Sequence, residues 1–155
     1  MHFLISGLNP EPFRHLYGLP EAQLLAQGAR RYTVDKTPGF PDRIELRDLT
    51  PGETALLVNY THQDAATPYR ASHAIFVREG AERSVSVIDE IPEVMQRRVL
   101  SLRAFDATHM MADAVLVDGR QARETVERLL SDDKVAYIQA HYAQRGCYAA
   151  RIERE

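Results

Sequence analysis

The segment that most restricts the fold is the last one, VAYIQAHYAQRGCYAARIERE at 135–155. Val135–Tyr142 and Cys147–Glu153 read as two strands on either side of Ala143-Gln144-Arg145-Gly146. A three-residue turn of Gln144, Arg145 and Gly146, with Gly146 in the left-handed conformation, is a common way to close such a hairpin. That register sets Tyr142 opposite Tyr148, Ala140 opposite Ala150 and Ile138 opposite Ile152, all on one apolar face. The other face then carries Tyr137, Gln139, His141, Cys147, Ala149 and Arg151. A slip of one residue would mix the two sets, so burial selects this pairing and places Ile138, Tyr142, Tyr148 and Ile152 in the core.

Upstream, Phe3–Ser6 reads as a strand and Asn9-Pro10 as the start of a short helix. Pro20–Ala26 reads as a second short helix with Leu24 and Leu25 facing inward, ended by Gly28. Arg31–Asp35 and Arg43–Leu49 alternate like half-exposed strands. Ala55–Tyr60 and Ala74–Val77 are apolar enough to be buried strands. A weak strand at Val85–Ile88, a short helix at Pro92–Arg98 and strands at Val99–Phe105 and Ala114–Val117 follow. One longer helix remains, opened by Asp118 with Gln121, its buried stripe Ala122, Val126, Leu129 and Leu130. Arg120–Glu124 and Glu124–Arg128 are its expected surface pairs. The order of elements predicts an α+β fold over one domain, 1–155: a mostly antiparallel sheet ending in a C-terminal β-hairpin, with helices packed on one face.

At 155 residues a chain can bury roughly 68–70% of its unfolded surface, so it needs no metal or disulfide to fold. Net charge is −3 with no linear cluster of Lys and Arg, which argues against nucleic acid as a partner. The apolar run at the N-terminus breaks at Asn9-Pro10, too short for a signal peptide or a bilayer span, so no membrane partner is expected. A single cysteine, Cys147, excludes internal disulfides and points to the cytoplasm.

Chemistry-bearing side chains concentrate at 59–79, NYTHQDAATPYRASHAIFVRE, where a long polar connection joins two apolar strands. Hairpins need only about two to five loop residues, and loops on rigid scaffolds often carry binding groups. Tyr69, Arg70, Ser72 and His73 are candidate ligand contacts, with Arg70 able to fork onto a carboxylate or phosphate or to pin the loop through Asp64, Asp106 or Glu79. Gln139 and Arg151 on the closing hairpin are further candidates, and Arg70 is expected to share one site with them. His62, Asp106 and His141 are the candidate acid–base groups. The histidines lack metal-ligand spacing, and no phosphate-binding or nucleotide motif occurs, so no metal and no cofactor are expected.

Taken together, GARR (28–31), PGFP (38–41), NYTHQ (59–63), PYRASHAIFVRE (68–79), LSLRAFDA (100–107) and YIQAHYAQRGCYAARIER (137–154) resemble one uncharacterised bacterial family of small single-domain proteins, catalogued as a domain of unknown function. The resemblance implies no reaction. The residues themselves support a polar cleft that binds, and in an enzyme would transform, a small anionic metabolite. The alternative is a non-catalytic binding or interaction protein, as a monomer or a homodimer.

Overall fold

A computed structural model describes all residues from Met1 to Glu155. The architecture is α+β, built on antiparallel pairing throughout. In chain order the strands are β1 (Phe3–Ser6), β2 (Arg30–Thr33), β3 (Pro41–Asp42), β4 (Arg47–Asp48), β5 (Thr54–Gln63), β6 (Ala71–Arg78), β7 (Ser86–Ile88), β8 (Val99–Phe105), β9 (Met111–Asp118), β10 (Tyr137–Tyr142) and β11 (Cys147–Arg154). The helices are α1 (Glu21–Ala26), α2 (Glu93–Gln96) and α3 (Ala122–Leu130). Six strands form the main sheet in the order β7-β1-β11-β10-β8-β9; β2-β5-β6 form a second sheet, and β3-β4 a short ribbon. No helix is long and apolar enough to cross a membrane.

One face of the main sheet packs on α2 and α3. Val126, Leu129 and Leu130 of α3 and Met95 of α2 meet Ile138, Ala140, Leu102 and Ile152 in the larger core. Asp118 does cap, but it accepts from Arg120 N (2.9 Å) to hold a 3-10 turn at Gly119–Gln121, and α3 starts after it. The surface pair on α3 is Arg123–Glu127 rather than those expected through Glu124. A second core lies under the β2-β5-β6 sheet, where Phe13, Leu24, Ile44, Leu56 and Ile75 pack together. Leu25, expected inside, is 53% exposed; α1 has six residues, less than two turns, and buries only Leu24.

The closing hairpin keeps the expected register at its far end, Ile138↔Ile152 and Ala140↔Ala150, and loses it toward the turn. A bulge leaves Ala149 unpaired, so His141 faces Tyr148 and Tyr142 faces Cys147. All four predicted core residues are buried, but the two tyrosines part company. Tyr142 and Cys147 join the larger core and Tyr148 the second one. Gly146 is left-handed as expected (φ 81), but the turn is four residues long. An extra residue on one strand re-aims everything beyond it, and no side-chain pattern in this segment announces it.

Of the strand expected over 43–49 only Arg47–Asp48 is extended, as β4, and 43–46 form a turn. Asp42 accepts from Glu45 N (2.5 Å) and Arg78 N (2.7 Å), a local side-chain-to-backbone bond that competes with extended structure. The chain folds back through Leu46 (φ 54) and buries Arg43 and Ile44 completely. Gly7 lies against this turn: Leu8 N donates to Arg43 O (2.7 Å), and a Cβ at position 7 would overlap the Ile44 carbonyl. Gly7→Ala should therefore cost about 1–3 kcal/mol through overpacking, measured by urea denaturation. An unchanged midpoint would show that the turn yields freely.

Candidate functional site

The long polar connection is mostly strand. β5 runs on to Gln63 and β6 begins at Ala71, which puts Thr61, Gln63, Ser72 and His73 on the ladder, with His62 in the strand but skipped by the pairing, and leaves 64–70 as the loop. β2 pairs only with Thr54–Leu57, so the far half of this hairpin extends past its own sheet and covers the outer face of the main one. A register shift between Thr61 and Gln63 marks its last turn of ladder.

Under that overhang lies a polar cluster. Gln139 Nε2 donates to the His62 carbonyl (2.8 Å), and its Oε1 lies 2.9 Å from His62 Nδ1 and 3.3 Å from His141 Nε2. His141 Nδ1 is 3.1 Å from the Gly146 carbonyl. The two imidazoles meet edge to face at 4.8 Å, and His62 stacks on Tyr148. Burial, followed by the nearby Arg103 charge, pushes the His141 pKa down to about 3. Burial also lowers that of His62, opposed by its bond to Gln139. Next door, the Tyr137 hydroxyl bridges Gln63 Nε2 and His109 Nδ1, both at 2.8 Å.

The expected site residues are therefore brought together only in part. His62, Gln139 and His141 form this cluster. Arg151 borders it, its guanidinium 3.9 Å from the centre of the Tyr137 ring and its Nε bonded to Glu153. Tyr69 touches the ring of Phe105. Asp106 instead ties up its own loop, accepting from Thr108 N and Oγ1 and from Met110 N; these bonds hold its carboxyl below the usual range. Arg70 and Ser72 are exposed, and Arg70 makes no side-chain bond or ion pair that ties it to the hairpin face. His73 faces elsewhere, into a second feature.

That feature is a cleft of about 670 Å³ between the β5–β6 sheet, the Arg43 turn and the turn after β10. Lys36, Arg43, Arg97, Arg98 and Arg145 line it, and no carboxylate does. Buried Asp48 holds Arg98 (2.7 and 3.0 Å) and Arg97 (3.3 Å) from behind, and Arg97 also reaches exposed Glu93. Lys36, Arg43 and Arg145 have no ion-pair partner. Arg43 is 2% exposed. Its donors reach Pro41 O (2.6 Å), Tyr148 O (2.8 Å) and Cys147 Sγ (3.0 Å). The guanidinium carbons of Arg43 and Arg98 lie 5.0 and 5.1 Å from the centre of the Tyr142 ring. Burial raises the Tyr142 hydroxyl to about 12 despite both cations. Phe40 and Phe76, 5.0 Å apart, supply an apolar wall. Cys147, expected beside His141 on the polar face, opens into this cleft because of the bulge.

None of these cations stood out in the sequence, where they are scattered singly except for Arg97-Arg98. Nowhere in the fold do three or more His, Cys, Asp or Glu side chains gather as metal ligands. Comparisons with curated proteins and with solved structures returned no match. A family model described as "Protein of unknown function (DUF1203)" matches residues 39–154, which span β3 to β11 and all of the cleft lining except Tyr32 and Lys36. The chain belongs to that family.

Proposed function

We propose that this protein binds a small anion in the basic cleft. The observation that carries the reading is a concave site with five cationic side chains and no lining carboxylate in a chain of net charge −3. Asp48 and Glu93 partner Arg97 and Arg98, but Lys36, Arg43 and Arg145 have no carboxylate. An anion among them would gain Coulombic attraction, and a partly desolvated guanidinium suits carboxylate or phosphate. The apolar wall favours a ligand with a hydrocarbon portion beside its charge. This keeps the anionic-metabolite expectation and moves the site from Arg70 and Arg151 to Arg98, Arg145 and Lys36. A buried, unpaired Cys147 supports a reducing, cytoplasmic setting.

Thermal denaturation with phosphate, pyrophosphate and short dicarboxylates tests it. A ligand at 100 times its Kd adds ~2.7 kcal/mol, about 5–10 °C in Tm for a chain of this size. Lys36→Gln with Arg145→Gln removes two exposed, unpaired cations, so the free protein should melt as before while the ligand-induced shift falls by more than half. No shift with any of these anions would overturn the proposal.

A further inference from the structure

The cluster under the β5–β6 overhang has one hydrogen too few. The Gly146 and His62 carbonyls can only accept. With Gln139 Nε2 on the His62 carbonyl, Oε1 faces ring nitrogens of both histidines. His62 Nδ1–H satisfies one of these contacts. A neutral His141 has a single N–H. On Nδ1 it serves Gly146 and leaves the Nε2 lone pair against Oε1. On Nε2 it serves Gln139 and leaves Nδ1 against the Gly146 carbonyl. Turning the Gln139 amide over moves the clash to the His62 carbonyl. With both imidazoles oriented as they stand, every neutral arrangement sets two acceptors face to face, and only a doubly protonated His141 satisfies all the contacts.

The surroundings keep that proton away. The groups acting on His141 are His62 from β5, His73 from β6, Arg103 from β8 and Tyr148 from β11, with no carboxylate among them. Arg103 sits directly across from Gln139 in the β8–β10 ladder. It is half-buried, has no ion-pair partner, and makes one side-chain bond, to Ser101 Oγ at 3.3 Å. His62 is also half-buried, and its Nε2 has no partner. A cation without an ion-pair partner thus acts on His62, whose second ring nitrogen is free, in front of a buried network that lacks one proton.

We propose that Arg103 and His62 Nε2 bind a small oxyanion on the outer face of the main sheet, and that binding is coupled to uptake of one proton by His141 behind them. The anion neutralises the charge that opposes the proton, and the proton completes the network that fixes His62. The ligand class is a compact oxyanion: sulfate, a phosphate group or a carboxylate. This site uses none of the cleft's arginines, so either could exist without the other.

Sulfate is the probe, because its own charge is constant between pH 5 and 8. The readout is the ¹⁵N signals of the His62 and His141 rings, which report the proton on each nitrogen and are local to this cluster. Sulfate should shift the His62 signals and convert His141 to its doubly protonated form. Binding that takes up one proton tightens by up to about tenfold per pH unit, so the Kd should fall at least tenfold from pH 7.5 to 5.5. Arg103→Gln should abolish the response and Arg103→Lys should restore part of it. Three results would each overturn the proposal: His62 signals that ignore sulfate, a His141 that stays singly protonated in the complex, or an Arg103→Gln protein that responds like wild type.

Discussion

Arg43→Ala should be among the most damaging single substitutions in this chain, lowering stability by about 3–5 kcal/mol. The Arg43 side chain joins two parts of the fold through three bonds: its own ribbon at Pro41, and β11 through the Tyr148 carbonyl and the Cys147 thiol. Truncation leaves two buried carbonyls without donors, each costing about 1–3 kcal/mol, and a void beside Tyr142. Domains of this kind are stable by only about 5–15 kcal/mol, so the variant should be marginal. Arg43→Met separates the causes, because it fills most of the void and still leaves both carbonyls bare. If hydrogen bonding dominates, urea denaturation should find Met nearly as unstable as Ala. A loss below about 1 kcal/mol for Ala would mean that water replaces the guanidinium and that Arg43 does not hold the cleft together.

That arginine also shows where the sequence stops being informative. Long apolar segments and the α3 stripe were legible because burial of one face dictates spacing, and the far half of the closing hairpin was legible for the same reason. The family resemblance, quoted over most of the chain, agrees with the match over 39–154. Arg43 itself looked like the exposed member of an alternating strand, since arginine is seldom fully buried. Its burial follows from the Asp42 turn and from carbonyls supplied by β11, about a hundred residues away in the chain. The cleft was invisible for a related reason. Its cations come from residues 36, 43, 97–98 and 145, and only the three-dimensional fold sums their charges. At 61–73 the error ran the other way: polar side chains suggested a loop, yet backbone pairing continues regardless of side-chain polarity when another surface covers the strand.

Stability should fall as the pH is lowered from about 6.5 to 5, by roughly 2 kcal/mol, and His141 is the cause. Its folded-state pKa of about 3 lies well below the ordinary histidine value because the ring is buried, with Arg103 next in effect. The unfolded chain therefore takes up a proton there as pH drops through about 6.5, and the folded protein does not. Protons bind preferentially to the unfolded state, so stability rises with pH across this window, at up to about 1.4 kcal/mol per unit. His62, also lowered by burial, adds in the same direction. Carboxylates do not confuse the upper part of the window. Glu53, whose pKa Arg47 holds down to about 2, loses its contribution only as pH falls from about 4.5 toward 2. Buried Asp42, raised by desolvation, acts with the opposite sign, favouring the folded state as pH falls. Urea denaturation at pH 6.5, 5.75 and 5 measures the slope, and His141→Asn should flatten it whatever its effect on absolute stability. A wild-type slope of zero would mean that His141 already carries its second proton at pH 6.5. The acceptors of Gln139 and Gly146 would then outweigh burial, and the network described above would be complete without any anion.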